Sequence, residues 1–265
     1  MKRIWRGIAS ILSLSWRLFA RNVGAKYRKS FLGYFWMVAP AFFITAGVSL
    51  ANHAGIINPG TTVLPYPMFV LFGTLMWHVF VEAFEVPHQA FDGARSYLTR
   101  VNFRREAIIL SQLFETAVTA AVRTVLALAI AIVVYGPDLR AAFWIVTCFA
   151  GTLLIGLGIG AILMPFTILF EDLQRTLKLM LAFGLFLTPA MYQPAEGSLF
   201  ALLVKLNPVW PFMDSAREAV AGTALSHPYA LSVALGCAVV STILGFLMVR
   251  ATAPIVIERM LLGGR

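Results

Sequence analysis

The residues able to do chemistry are few in this chain, and they are not grouped as an enzyme would group them. His53, His78, His88 and His227 show no metal-ligand spacing, and no catalytic triad can be assembled around any of them. Gly156, Gly158 and Gly160 mimic part of a nucleotide fingerprint, but they lie inside an apolar run with no strand before them. Gly156 and Gly160 instead make a small-x-x-x-small face suited to close helix packing. No G-x-x-x-x-G-K-[ST] sequence occurs, so ATP cannot be bound in the P-loop manner. No metal site or resident cofactor is expected in the chain. Cys148 and Cys237 sit in apolar runs and imply packing rather than a disulfide framework. Glu115 and Arg123 share one apolar run. Their spacing separates them by roughly 80° and about 12 Å on a helix, too far to pair comfortably. Each should therefore meet a partner on another helix, either as a structural ion pair or along a hydrophilic path.

The elements that hold these residues are set by composition. The chain is 60% hydrophobic and 12% charged, with a mean hydropathy of +0.82, whereas soluble domains carry roughly 25% charged residues. A soluble fold of 265 residues would have too little polar surface to cover its apolar atoms; a bilayer removes that difficulty. Six segments of about the length a helix needs to cross are found at about 31–52, 67–86, 108–135, 142–169, 177–192 and 228–250. The fifth is short and ends at Pro189. Residues 4–20 place Trp5, Ile8, Leu12, Trp16 and Phe19 at helical spacing, with Arg3, Arg6 and Arg17 largely elsewhere, which suits a helix lying in the interface. The segment is no signal peptide. The expected fold is thus an all-α integral membrane domain over residues 1–265, with a cytoplasmic or interfacial N-terminus at 1–30.

Orientation follows from lysine and arginine. Lys2, Arg3, Arg6, Arg17, Arg21, Lys26, Arg28 and Lys29 precede the first acid, Glu82, so that end is cytoplasmic. Six crossings then put Arg95, Arg100, Arg104, Arg105, Arg175, Lys178 and the basic tail inside as well. Only Arg140, Lys205 and Arg217 remain outside, with Arg123 in the third span. Both termini are expected in the cytoplasm. The net charge of +9 needs no nucleic acid, because anionic lipid headgroups attract the same basic face. Between 190 and 226, Tyr192, Pro194, Asn207, Pro208, Trp210, Pro211, Asp214, Arg217 and Glu218 interrupt apolar runs too short to cross. Leu199–Leu206 should dip into the membrane, Asn207-Pro208 should break it, and Asp214 should open the next helix. Such re-entrant backbone is tolerated only against protein or a water-filled cavity; a loop lying on the surface is the competing reading.

Four blocks in order resemble the permease subunits of ABC-type polysaccharide exporters, which move O-antigen, capsule or teichoic-acid chains. The first is Arg21-Asn22, then Lys26-Tyr27-Arg28-Lys29-Ser30-Phe31-Leu32-Gly33-Tyr34-Phe35-Trp36 and Pro40. The second is Gly73 and Trp77, leading to Leu98, Arg100, Phe103 and Arg105. The third is Gly158 followed by Glu171-Asp172, and the fourth is Pro189, Tyr192, Asn207-Pro208 and Ala216-Arg217-Glu218-Ala219-Val220. The chain departs from the family at Phe103-Arg104-Arg105, often Phe-Pro-Arg, and at Glu171, often Arg.

The resemblance implies a homodimeric, multi-pass permease of a bacterial inner (plasma) membrane with a re-entrant helical pair before the last span. It implies a transport subunit rather than an enzyme, with ATP and Mg bound by two separate ATPase subunits. Residues 92–106 would be the coupling helix, presenting Arg95, Tyr97, Arg100, Phe103 and Arg105; without the resemblance they read as a solvated basic loop. A glycan of variable length must slide, and aromatic faces give it sequence-tolerant contact. Tyr34, Trp36, Trp77, Phe80, Tyr192 and Trp210 are candidates for that path, although interfacial aromatics also form the ordinary membrane belt. Lys26, Arg28 and Lys29 stand where a lipid phosphate would enter, or anchor the inner face. Asn207, Pro208, Arg217 and Glu218 would belong to the outward gate at 190–226. Partners would be the bilayer, a lipid-linked glycan and periplasmic or outer-membrane export components. Export of a drug or small lipid is the alternative within the family, and a polytopic lipid-modifying enzyme the alternative outside it.

Overall fold

The computed structural model describes the backbone of residues 12–21, 33–98, 105–193 and 197–262, with side chains for 12–21, 35–90, 110–193, 197–198 and 201–252. Every regular element among them is helical. Residues 12–21 form α1, and a 3₁₀ turn at Gly33–Met37 leads into α2 (Ala39–His53). There follow α3 (Tyr66–Leu98), α4 (Arg105–Tyr135), α5 (Leu139–Leu169), α6 (Glu171–Leu187), α7 (Leu199–Lys205), α8 (Trp210–Val220) and α9 (Pro228–Leu262).

Four helical stretches are long and apolar enough to cross a bilayer: Tyr66–Ala90, Leu110–Tyr135, Leu139–Leu169 and Pro228–Thr252. They match the second, third, fourth and sixth expected spans. The first and fifth differ. α2 has 15 residues, because the chain enters it through the 3₁₀ turn and Pro40 fixes its first turn. At 1.5 Å per residue it is about 22 Å long, short of the roughly 30 Å hydrocarbon layer. α6 has 17 residues and starts at Glu171 rather than near 177, drawing Glu171 and Asp172 into its first turn. Carboxylates there complement the positive end of the helix dipole. α6 ends at Leu187 because Thr188 precedes Pro189, a position biased to extended backbone, and Thr188 is at φ −92°, ψ 143°. Of the expected element at 92–106, residues 92–98 continue α3, and 99–104 lie outside the described residues.

α3 and α5 make the centre. The apolar stretch of α3 is 72% buried and that of α9 only 17%, so α9 is a peripheral helix with most of its surface facing outward. α5 is clasped on two faces by backbone approach rather than by interlocking large side chains. On one face a Cβ at Gly156 would lie 2.6 Å from the Phe80 carbonyl oxygen, and one at Gly160 would strike the backbone of Phe84. On the other, Gly245 of α9 meets Ala161 and the Gly158 carbonyl, and Thr242 Oγ1 donates to the Leu154 carbonyl at 2.8 Å. Small residues at helix contacts are the means by which helices associate in lipid, where apolar burial drives nothing. Phe72, Leu75, Met76, Phe149, Phe212 and Met213 fill the space between α3, α5 and α8. A short turn joins α4 to α5: Gly136 takes φ +87° there, and Asp138 caps α5 by accepting from the Arg140 backbone N–H at 2.8 Å. α1 packs Trp16 and Phe19 edge-on to Phe114 of α4, with centroids 6.3 Å apart in both pairs.

Candidate functional site

The segment before the last helix folds as two short helices. α7 is capped by Ser198, whose hydroxyl accepts from the Ala201 N–H at 3.0 Å. The break falls at Asn207-Pro208 as the sequence implies, but α8 opens differently. Its N-cap is Val209 with Pro211 in the first turn, and Asp214 lies inside the helix rather than at its start. Asn207 holds the break together: its Nδ2 donates to Thr188 Oγ1 at 2.8 Å, while its Oδ1 accepts from the Val209 N–H at 2.9 Å. Thr188 Oγ1 in turn donates to the Gly184 carbonyl at 2.7 Å.

Arg217 fixes this unit to the body of the protein. The residue is 2% exposed. Nη1 donates to the Pro189 carbonyl at 2.7 Å, and Nη2 donates to those of Phe69 and Ala190, both at 2.9 Å. The guanidinium carbon lies 3.5 Å from the Phe69 ring centroid, a cation–π contact strengthened by exclusion of water. Pro189 and Ala190 can offer their carbonyls because α6 has already ended. Gly73 makes the approach possible: a Cβ there would strike the guanidinium and sit 2.6 Å from the Ala190 carbonyl oxygen. One side chain thus ties α8, the 188–190 turn and α3. Gly73, Pro189, Asn207 and Arg217, widely separated in sequence, meet around it.

The neighbouring groups stiffen the same region. Tyr66 Oη donates to the Met191 carbonyl and Tyr192 Oη to that of Phe186, both at 3.0 Å. Glu218 is buried, and its Oε2 accepts from the Ser226 N–H at 3.0 Å, closing the turn from α8 towards α9. Pro208 is exposed, and Trp210 is half-buried with its ring 5.2 Å from that of His227.

The aromatic candidates divide. Trp36 is 54% exposed, with the Phe35 ring 6.4 Å away. Trp77 and Phe80 are 7% and 6% exposed and belong to the core: Trp77 lies against Gly184, with the Phe80 ring 5.2 Å away. Both rings are thus held by packing within this chain. Lys26, Arg28, Lys29, Arg100 and Phe103 lie outside the described residues, as do the side chains of Tyr34, Arg95, Tyr97 and Arg105.

Arg123 finds its partner on α3. It donates through Nη1 to Glu82 Oε2 at 2.7 Å and through Nη2 to Glu82 Oε1, while Nε and Nη2 reach the Met37 carbonyl at 3.1 and 2.9 Å. Thr119 Oγ1 donates to the same carboxylate at 2.7 Å. This bidentate pair pins the 3₁₀ turn before α2 to α3 and α4. Sequence reasoning found the cation and missed Glu82, although an acid in the second span was the available signal. Glu115 is buried on the same helix as Arg123.

No family model matches the chain. Two curated proteins do. The O-antigen export system permease protein RfbA of Myxococcus xanthus is 27% identical over 223 residues, covering 81% of this chain and 83% of that protein. The protein of the same description from Klebsiella pneumoniae is 22% identical over 232 residues, covering 85% and 86%. Both alignments run across most of the helical framework described above, and along that length the chain is similar to permease proteins of O-antigen export systems, in keeping with the resemblance its four sequence blocks carry.

Proposed function

We propose that this chain is the membrane-spanning subunit of an ATP-driven ABC exporter that carries lipid-linked polysaccharide, such as O-antigen or capsule, across a bacterial plasma membrane. The observation that carries this reading is similarity to O-antigen export permeases over more than four-fifths of the chain. In this reading two copies form a homodimer, and two separate ATPase subunits bind ATP and Mg beneath it. Each copy has six crossings, with α2 and α6 as the short ones, and both termini face the cytoplasm. Residues 92–106, with Arg95, Tyr97, Arg100, Phe103 and Arg105, meet the ATPase. Lys26, Arg28 and Lys29 receive the lipid phosphate.

α7 and α8 are the outward gate. With 7 and 11 residues they are about 10 and 16 Å long, too short to cross, but long enough to enter one leaflet and return. The buried Arg217 clamp supports this reading, because re-entrant backbone must be held by protein. Tyr34, Trp36, Tyr192 and Trp210 are the aromatic faces offered to the glycan, with Trp77 and Phe80 in the core behind the path.

The test is reconstitution of the chain with its partner ATPase in proteoliposomes. ATP-dependent movement of lipid-linked glycan into the lumen is the expected result. ATPase stimulation by small drugs or simple lipids and not by glycan would overturn the substrate class. Turnover of a lipid by the purified chain without ATP or a partner would overturn the transport reading itself.

A further inference from the structure

A second feature lies away from the gate. Between α3, α5 and α6 the protein has a cleft of about 550 Å³, counting its open mouth. Its position is set by the helices themselves. Glu85, His88 and Gln89 fall in the last turns of the apolar stretch Tyr66–Ala90, and Thr167 at the end of Leu139–Leu169. The cleft therefore lies at the end of α5, beside the charged start of α6, where Glu171 and Arg175 are exposed.

Its lining is divided by chemistry. Leu163, Met164, Leu177 and Leu181 make an apolar floor. The other face of α6 is also apolar, with Leu179, Met180 and Phe183 about 60% exposed. The rim carries one carboxylate, Glu85, and one ammonium, Lys178, from facing helices. Glu85 Oε2 accepts from Gln89 Nε2 at 2.7 Å, one turn along the same helix. Lys178 is exposed and makes no ion pair among the described residues. His88 bridges the two walls, meeting Gln174 of α6 through one ring nitrogen and Thr167 of α5 at 3.3 Å through the other. The walls are thus fixed at a set separation, with opposite charges on either side and grease beneath.

We infer that this cleft binds a zwitterionic phospholipid headgroup of the ethanolamine type, with phosphate towards Lys178, ammonium towards Glu85 and an acyl chain along the floor. An anionic headgroup would meet Glu85 with like charge, and a quaternary ammonium could not donate to its carboxylate. The primary ammonium of ethanolamine does both jobs. A free phosphate or a soluble phosphoethanolamine shares the polar chemistry but leaves the apolar floor uncovered. The site needs a membrane but not the export function, so its test is separate from that of glycan transport.

The experiment uses the full chain, incubated in vesicles of equimolar phosphatidylethanolamine and phosphatidylglycerol, re-extracted in mild detergent, with the retained lipid quantified by mass spectrometry. Exposed charge pairs are worth a fraction of a kcal/mol, so wild type should retain phosphatidylethanolamine over phosphatidylglycerol by about threefold. Glu85→Gln should abolish that preference while leaving total retained lipid unchanged, and Lys178→Gln should lower retention of both lipids. Lys178 is exposed, so Lys178→Glu serves as a second variant that leaves the packing intact; it should lose both lipids more completely. Soluble phosphoethanolamine at equal concentration should displace nothing. The inference fails if wild type prefers phosphatidylglycerol, if Glu85→Gln keeps the wild-type ratio, if no lipid is retained, or if soluble phosphoethanolamine competes.

Discussion

Removing Glu82 should harm this protein more than removing its partner Arg123, and removing both should harm it less than the two losses together. Arg123 is 2% exposed and Glu82 38% exposed, so the two vacancies differ. In Glu82→Leu the guanidinium stays buried with only the Met37 carbonyl to satisfy it. Orphaning a buried charge costs about 3–5 kcal/mol, and the partial exposure of the site argues for the lower end, about 3 kcal/mol. In Arg123→Met the carboxylate keeps the Thr119 hydroxyl at 2.7 Å and can turn outward or take up a proton. About 2 kcal/mol is expected there, much of it from the lost Met37 contacts. The double variant has no orphaned charge and should also lose about 2 kcal/mol, which leaves a coupling of about 3 kcal/mol. Unfolding in mixed detergent micelles, followed by tryptophan fluorescence across the thermodynamic cycle, measures all three values. If the double variant loses the simple sum of the singles, the pair is not the anchor of the α2 entry described here.

Three further outcomes follow from the same geometry. Gly73→Ala should lower stability by about 1–3 kcal/mol through overpacking against Arg217 and Ala190, and Arg217→Lys should not relieve it, because a lysine cannot reach three carbonyls with a planar fork; thermal unfolding of the single and double variants checks this. Asn207→Ala should cost about 1–2 kcal/mol for two hydrogen bonds and raise the rate of proteolytic cutting at 206–209 while leaving cutting in the α4–α5 turn unchanged. Arg100→Ala with Phe103→Ala should lower stimulation of the partner ATPase without affecting membrane insertion; wild-type ATPase activity and export in that variant would remove the coupling assignment.

Hydropathy was enough to find α4, α5 and α9, because long uninterrupted apolar runs have one stable form in lipid. The small-residue face of Gly156 and Gly160 was legible for a similar reason, since the missing side chain is itself the signal for a close neighbour. The break at Asn207-Pro208 was written in residues that stop helices. What sequence did not carry was the other half of each polar contact. Arg217 and Arg123 bind main-chain carbonyls of Pro189, Ala190, Phe69 and Met37, and a carbonyl looks the same under every residue. The aromatic candidates show the converse. Trp77 and Trp36 are alike as letters, and only the packing of Gly184 against one of them separates a core ring from an exposed one. The helical turn ahead of the fifth expected span was not legible from hydropathy, because Glu171, Asp172 and Arg175 lower it, although carboxylates near a helix start favour helix.

The double glycine clasp on α5 limits how the protein can change shape. Where one backbone rests directly on another there is no layer of long side chains to shear or to change rotamer, so sliding costs contact at once. α3, α5 and α9 should therefore travel as a single plank during any working cycle. The freedom to rearrange is left to the parts fastened by side chains: the α2 entry hung on Arg123, and the α7–α8 pair hung on Arg217.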